Sequence, residues 1–323
     1  MIETPLFWPA RIKGTTLHVL DETLIPRKLV YIRVHTVAQA VQVIRTMKTR
    51  AFGQFLVVLN AFLLVLESSV KSGDARMLRR IEATANALNA SRPTFPFSEV
   101  TGVVVRWAQE AVSSGEDLRA TVRRKILGYI EGIRVQRLDR VARLAGVMKQ
   151  GDSILTHCNL SGELAMAAAV CRKKKKKVQF FVTETRPYFQ GAKLTCWELK
   201  RVGADVTLIA DNTVASVMAD GLVNKVIVGS DRNCANGDFA NKIGTYQIAV
   251  CAREFRIPVY VLTQPSSNVR TGQDIPIEIR DDKELLVFSG ARWAPRGVRG
   301  FYPGFDVVPY TYITKAVPIH VRS

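Results

Sequence analysis

The feature that most constrains this chain is a change of grammar at Gly151-Asp152. From Thr36 to about Gln150, apolar residues recur three and four apart. They do so in VAQAVQVIRTMKTR, AFGQFLVVLNAFLLVLESSV, ARMLRRIEATANALNA and LRATVRRKILGYIEGIRVQRLDRVARLAGVMKQ. That spacing puts one face of a helix against a core. Beyond Gly151, short apolar and β-branched runs alternate with helical stretches. The runs are SILTHC, VQFFVTE, VTLIADN, KVIVGSD, VYVLTQ and LLVF. Between them lie GELAMAAAVCRK, CWELKRVG, VASVMADG and ANKIGTYQIAVCAREF. A β-α-β-α order of this kind predicts a parallel, doubly wound sheet covered on both faces. Ahead of the helical run, TTLHVLD and KLVYIRV predict short strands, with LIPR turning between them. The expected fold is α/β. A Rossmann-like, doubly wound parallel sheet over 146–323 follows a small β segment and a helical domain over 1–145.

Several classes are excluded early. With 47% hydrophobic and 23% charged residues among 323, the chain can bury a sizeable core and is no disordered polymer. The longest apolar stretch, residues 55–66, is broken by Asn60. A membrane span needs about 20 such residues, so this stretch reads as a buried helix and no membrane partner is expected. The first residues, MIETPLFWPA, carry no charged segment followed by an apolar run, unlike a secretory signal. The five cysteines, Cys158, Cys171, Cys196, Cys234 and Cys251, are odd in number and form no CxxC pair. They fit neither a disulfide framework nor a zinc ribbon. A cytoplasmic location is expected.

The net charge is +18, with 23 basic and 12 acidic side chains in residues 1–150 and 23 and 16 in the remainder. Such a field attracts anions, and charge alone does not choose between nucleic acid and small phosphates. The five lysines at 173–177 read as a solvated turn. No aromatic residue is interleaved among them, so no base-stacking platform is suggested and nucleic acid is not the expected partner.

In open parallel sheets, ligands bind beyond the carboxyl ends of the strands. Here those ends carry Cys158-Asn159, Thr183-Glu184, Asp211-Asn212 and Asp231-Arg232. Cys158 falls between a strand and a helix starting near Ser161 or Gly162. It reads equally as an activated thiol or as a small buried hydrophobe. Asp231 reads as an acid–base group or a loop cap. Asn241 and Lys242, just before a helix, suit a phosphate or simple capping. Arg50, Arg92 and Gln190, beside Gly or Pro turns, read on their own as solvated surface groups. His157 is expected to pack or to hold backbone, because neighbours on a strand point to opposite faces. The scattered histidines give no metal spacing, and no nucleotide-binding glycine motif is present.

The segments GDSILTHCN, TETRPYFQGAKLTCWEL, VTLIADN, VIVGSDR, ANGDFANKIGTY, DIPIEIRD and FDVVP, in this order and spacing, resemble the methylthioribose-1-phosphate isomerases. Those enzymes are homologues of the α, β and δ subunits of translation initiation factor 2B. Weaker matches occur in LDETLIP and SRPT. The resemblance implies a catalytic cysteine at Cys158 and a catalytic aspartate at Asp231. It implies substrate-phosphate contacts at Arg50, Arg92, Gln190, Asn241 and Lys242. It also implies a small-molecule sugar phosphate as partner, a homodimer, and no metal or organic cofactor. The implied reaction turns S-methyl-5-thioribose 1-phosphate into the ribulose 1-phosphate in methionine salvage. Alternatives are an isomerase of 5-deoxyribose 1-phosphate or ribose 1,5-bisphosphate, and a non-catalytic regulator like initiation factor 2B. Keeping both Cys158 and Asp231 favours an enzyme. The departures cluster where the pocket is expected: RAFGQF at 50–55 replaces a glycine-rich segment, FPF follows SRPT, and GSDR stands for GADR.

Overall fold

The structure, a computed structural model, describes residues 3–67, 73–93, 95–264 and 269–319. Residues 68–70 of the second helical run and Thr94 of the SRPT turn lie outside them. The chain divides into two compact units, residues 1–136 and 137–323. A boundary near 145 is expected from the end of the helical run, and the two units part within that run.

In the first unit, β1 (Ala10–Lys13), β2 (Thr16–Leu20) and β3 (Tyr31–Val34) form an antiparallel sheet in that order. Helix α1 (Val37–Arg45) opens on a capping box, in which Thr36 and Gln39 satisfy each other's amides. Helix α2 (Ala51–Glu67) carries the apolar stretch, and 13 of its 17 residues are buried. A helix apolar on nearly every side belongs inside a core, and this one packs against α1, α3 (Asp74–Asn89) and α4 (Phe97–Ser113). The amide of its Asn60 donates to the Leu56 carbonyl at 2.7 Å, which satisfies a polar group in apolar surroundings. Helix α5 (Leu118–Val147) follows. Among the described residues no helix is long and apolar enough to cross a membrane.

The second unit alternates β4 (Ser153–Thr156), α6 (Glu163–Lys173), β5 (Gln179–Thr183), α7 (Cys196–Arg201), β6 (Asp205–Ile209), α8 (Val214–Ala219) and β7 (Lys225–Gly229). Then come β8 (Arg232–Asn233), β9 (Phe239–Lys242), α9 (Thr245–Glu254), β10 (Val259–Leu262) and α10 (Lys283–Leu286). The hairpin β11 (Val287–Phe288) and β12 (Ala291–Arg292), then β13 (Phe305–Val308) and β14 (Lys315–Ala316), complete it. Six strands lie parallel in the order β6-β5-β4-β7-β10-β14. The chain winds outward from β4 to one edge and then from β7 to the other. The topological switch point therefore falls between β4 and β7. One core layer packs Leu155, Val226, Val228 and Val261 of the sheet against Val217 and Met218 of α8 and Ile248 and Ala252 of α9.

One expected strand is displaced. LLVF does not join the sheet. Leu285 and Leu286 close α10, and Val287-Phe288 turn back on β12 through Ser289 and Gly290, both at positive φ. The sixth place belongs to β14, whose Lys315-Ala316 is too short and too polar to show as an apolar run. A further antiparallel sheet, β13-β9-β8, was not expected either, since its two- to four-residue strands carry polar side chains without alternation.

Candidate active site

Beyond β4 the backbone turns sharply. His157 clamps the turn: its Nε2 donates to the Ile243 carbonyl at 2.9 Å, and its Nδ1 accepts from the Thr183 hydroxyl at 2.6 Å. Burial lowers this imidazole to about 4, so it stays neutral, in the backbone-holding role expected of it. Cys158 is half-buried and sits at φ +61°. That conformation costs a non-glycine residue roughly 1–2 kcal/mol. Two bonds to its own peptide groups hold it there. Its amide donates to Thr185 Oγ1 at 3.0 Å, and its carbonyl accepts from Thr195 Oγ1 at 2.5 Å. Asn159 donates to Thr195 Oγ1 and accepts the Ser161 amide. At the start of α6, the buried carboxylate of Glu163 lies 2.6 Å from Arg140 and 3.1 Å from Arg137. Arg137 also donates to the Ser161 carbonyl at 2.6 Å, which ties the turn to α5.

The loop after β5 is held in the same manner. Asp211 accepts the amides of Thr185 and Arg186, each at 2.7 Å. This rim carboxylate is thus committed to backbone. The Arg186 guanidinium lies 5.2, 5.6 and 4.9 Å from the ring centres of Phe189, Phe288 and Trp293. Gln190 follows and is buried, not solvated as its sequence setting suggested. Its Oε1 has no hydrogen-bond partner among the described residues. A π turn over Gly191–Thr195 leads from it into α7. Only glycine fits at its first position, because a Cβ on Gly191 would stand 1.8 Å from the Thr183 carbonyl oxygen.

Asp231 lies two residues past β7. Its amide donates to the Ala240 carbonyl at 2.9 Å, so β9 fixes its position. Asn241 and Lys242 lie on β9 itself, just ahead of α9. Asn241 donates to Thr245 Oγ1, which donates to the Lys242 carbonyl. The Lys242 ammonium is buried. It donates to the Gly304 carbonyl at 2.9 Å and approaches the Tyr302 hydroxyl at 3.4 Å. The rings of Phe305, Tyr188 and Tyr302 surround it at 4.9, 5.6 and 5.8 Å. Asp306, opposite Asn241 in register, accepts the Gly244 and Tyr246 amides and so caps α9. Burial pushes its carboxyl up.

Arg50 and Arg92 come together within the first unit. Buried Glu22 accepts the Arg50 amide at 3.1 Å and the Thr49 hydroxyl. Burial pushes its carboxyl up, and the charge of Arg50 opposes this. Gln54 donates to the Thr49 carbonyl at 3.0 Å and accepts from Arg92 Nη1 at 3.0 Å. Arg92 also lies over the Phe95 ring at 4.8 Å.

Cys158, Gln190, Asp231, Asn241 and Lys242 thus gather around the carboxyl ends of β4, β5 and β7, on the second unit alone. The residues that hold them, Thr185, Thr195 and Tyr302, were not singled out from the sequence. Thr185 and Thr195 lie inside TETRPYFQGAKLTCWEL but carry no chemistry of their own, and Tyr302 sits in a stretch without periodicity.

Comparison with known proteins gives the family. The family model described as the initiation factor 2 subunit family matches residues 53–318. The chain belongs to that family. It is 38% identical to a methylthioribose-1-phosphate isomerase of Desulforudis audaxviator, over 97% of this chain and 92% of that one. It is 37% identical, over the same shares, to a 5-deoxyribose 1-phosphate isomerase of Moorella thermoacetica. The crystal structure of 5-methylthioribose 1-phosphate isomerase from Pyrococcus horikoshii superposes with a TM-score of 0.84 at 31% identity, covering 97% of this chain and 93% of that one. By the names of these relatives, the protein is an isomerase of a sugar phosphate.

Proposed function

We propose that the protein converts S-methyl-5-thioribose 1-phosphate into S-methyl-5-thioribulose 1-phosphate, a step of methionine salvage, with Cys158 and Asp231 as its catalytic pair. One observation carries this reading. A thiol and a carboxylate follow β4 and β7, the neighbouring strands that flank the switch point of the sheet. Phosphate on the anomeric oxygen prevents spontaneous ring opening, so the enzyme must open the ring itself. Asp231 gives a proton to the ring oxygen as the bond from that oxygen to C1 breaks. The hydrogen on C2 then moves to C1, and the hydroxyl proton on O2 returns to the carboxylate. No oxidant is required. Cys158 carries the C2 hydrogen as a proton through an enediol, or guards the hydroxyl protons while it shifts as hydride. Arg50, Arg92, Gln190, Asn241 and Lys242 hold the phosphate through charge-assisted bonds. The aromatic residues of RAFGQF and RPTFPF favour an apolar 5-substituent over a second phosphate. The protein acts as a homodimer in the cytoplasm.

The test is ketose 1-phosphate formation by the purified protein. Methylthioribose 1-phosphate, 5-deoxyribose 1-phosphate and ribose 1,5-bisphosphate are compared side by side. Turnover is expected to be highest on the first. Cys158→Ser and Asp231→Asn are each expected to lower it about 10²–10⁴-fold while leaving the melting curve intact. A variant with near-normal turnover removes that residue from the mechanism. Preference for the deoxy sugar reassigns the substrate. Deuterium entering C1 from heavy water identifies the proton route.

A further inference from the structure

Tyr302 is among the most buried tyrosines of the second unit, at 3% exposed. Its hydroxyl oxygen accepts from Lys242 at 3.4 Å. Its own proton meets no acceptor among the described residues, where buried hydroxyls normally find one. A buried hydroxyl that keeps its proton, beside a buried ammonium, sets two donors side by side, as an anionic oxygen requires. We propose that Tyr302 is a further substrate-contacting residue, donating its hydroxyl proton to a phosphate oxygen that Lys242 also binds. This rests on the reading of Lys242 as a phosphate-binding residue.

The chemistry suits the role. Burial raises the phenol well above its ordinary value, and the negative charges available to Tyr188, Glu284 and Cys158 add to this against Arg280. The group therefore stays protonated and can donate at any working pH. The ring has a separate duty, since its face lies 5.8 Å from the ammonium. Tyr302→Phe removes the hydroxyl and keeps that face.

The experiment compares wild type with Tyr302→Phe in two measurements, steady-state kinetics on the preferred sugar 1-phosphate and calorimetric binding of inorganic phosphate. KM and the phosphate dissociation constant are each expected to rise about ten- to a hundredfold, with kcat changed less than about threefold, as for loss of a bond to a charged group. Unchanged KM and unchanged phosphate affinity in a folded variant overturn the proposal. If the variant does not fold, wild-type tyrosine absorption is followed as phosphate is added. A shift of a buried phenol supports the contact, and no shift at saturation overturns it. The two readings fail separately. A wild type without turnover, whose phosphate affinity still depends on Tyr302, sinks the isomerase and spares the contact. Full turnover with an indifferent Tyr302→Phe does the reverse.

Discussion

Two clusters of candidate substrate groups, one at the rim of the six-stranded sheet and one around Arg50 and Arg92, are each built against a glycine, and they are built differently. At the rim, Gly191 faces a main-chain carbonyl, that of Thr183, and the adjoining loops are held largely by bonds to peptide groups. In the first unit, Gly53 faces a side chain: its Cβ would stand 1.8 Å from Thr49 Oγ1. There Glu22 holds the Thr49 hydroxyl, and Gln54 joins the Thr49 carbonyl to the Arg92 guanidinium. A peptide carbonyl in a sheet cannot step aside, whereas a hydroxyl can rotate, leaving the 2.9 Å approach to Thr49 Cβ to be met by a small shift. The rim is therefore rigid and intolerant of one methyl group. The arginine cluster is adjustable and sensitive to the loss of a bond.

That contrast can be broken in steps. Gly191→Ala is expected to have the largest effect, about 3 kcal/mol or more of stability lost in urea unfolding, or no folded protein. A variant as stable as wild type would show that the rim backbone yields. Gly53→Ala is expected to cost less, about 1–2 kcal/mol, since Thr49 must rotate away and give up its bond to Glu22. A cost equal to that of Gly191→Ala would erase the distinction. Glu22→Gln is the mildest change, about 1 kcal/mol or less at neutral pH, because an amide oxygen still accepts from Thr49 and Arg50. Its signature is in pH. The folded carboxyl of Glu22 is raised above its unfolded value, so its contribution to stability is fully present below the unfolded value of 4.5. It is lost as pH rises through the raised one. The Gln variant should lose stability less steeply than wild type as pH rises from 4.5, the ordinary value of the carboxyl, read by midpoints in denaturant. Identical slopes would mean that Glu22 does not titrate in this way.

Much of this architecture was legible before the structure. The runs SILT, QFFVT, DVTLI, KVIVG and VYVL are β4, β5, β6, β7 and β10; the central ones are apolar and β-branched because they are buried between helix layers, while edge strand β6 shows through its β-branched Val206, Thr207 and Ile209. The stretch around Asn60 was legible as a buried helix for the same reason. Cys158 and Asp231 were legible as rim residues from their place after two such strands. What stayed hidden has physical causes. β8, β9, β13 and β14 are short pieces fixed by tertiary pairing, not by local pattern. Asp211 looked as available as Asp231, since a carboxylate that accepts two amides is spelled like one that faces a ligand. Cys158, Ser161, Thr185 and Phe189 all hold positive φ without being glycine, so the tight turns that build the site left no mark in the sequence. Gln190 looked exposed because burial at a loop depends on what folds over it.

The order of the six strands also bears on how the protein is made. Synthesis runs from β4 to both flanks of the sheet, but the strand that covers β10 is β14, separated from it by more than fifty residues of loops and hairpins. Arg143, late in α5, likewise donates to the carbonyl of Pro318. While the ribosome translates the intervening stretch, the nascent chain offers the bare edge of β10 to any other unfolded strand. An open edge of this kind templates aggregation. This short strand, two residues long, therefore acts as a closing seal, and a stop codon placed just ahead of it would leave a sheet with nearly all its core and an unguarded side.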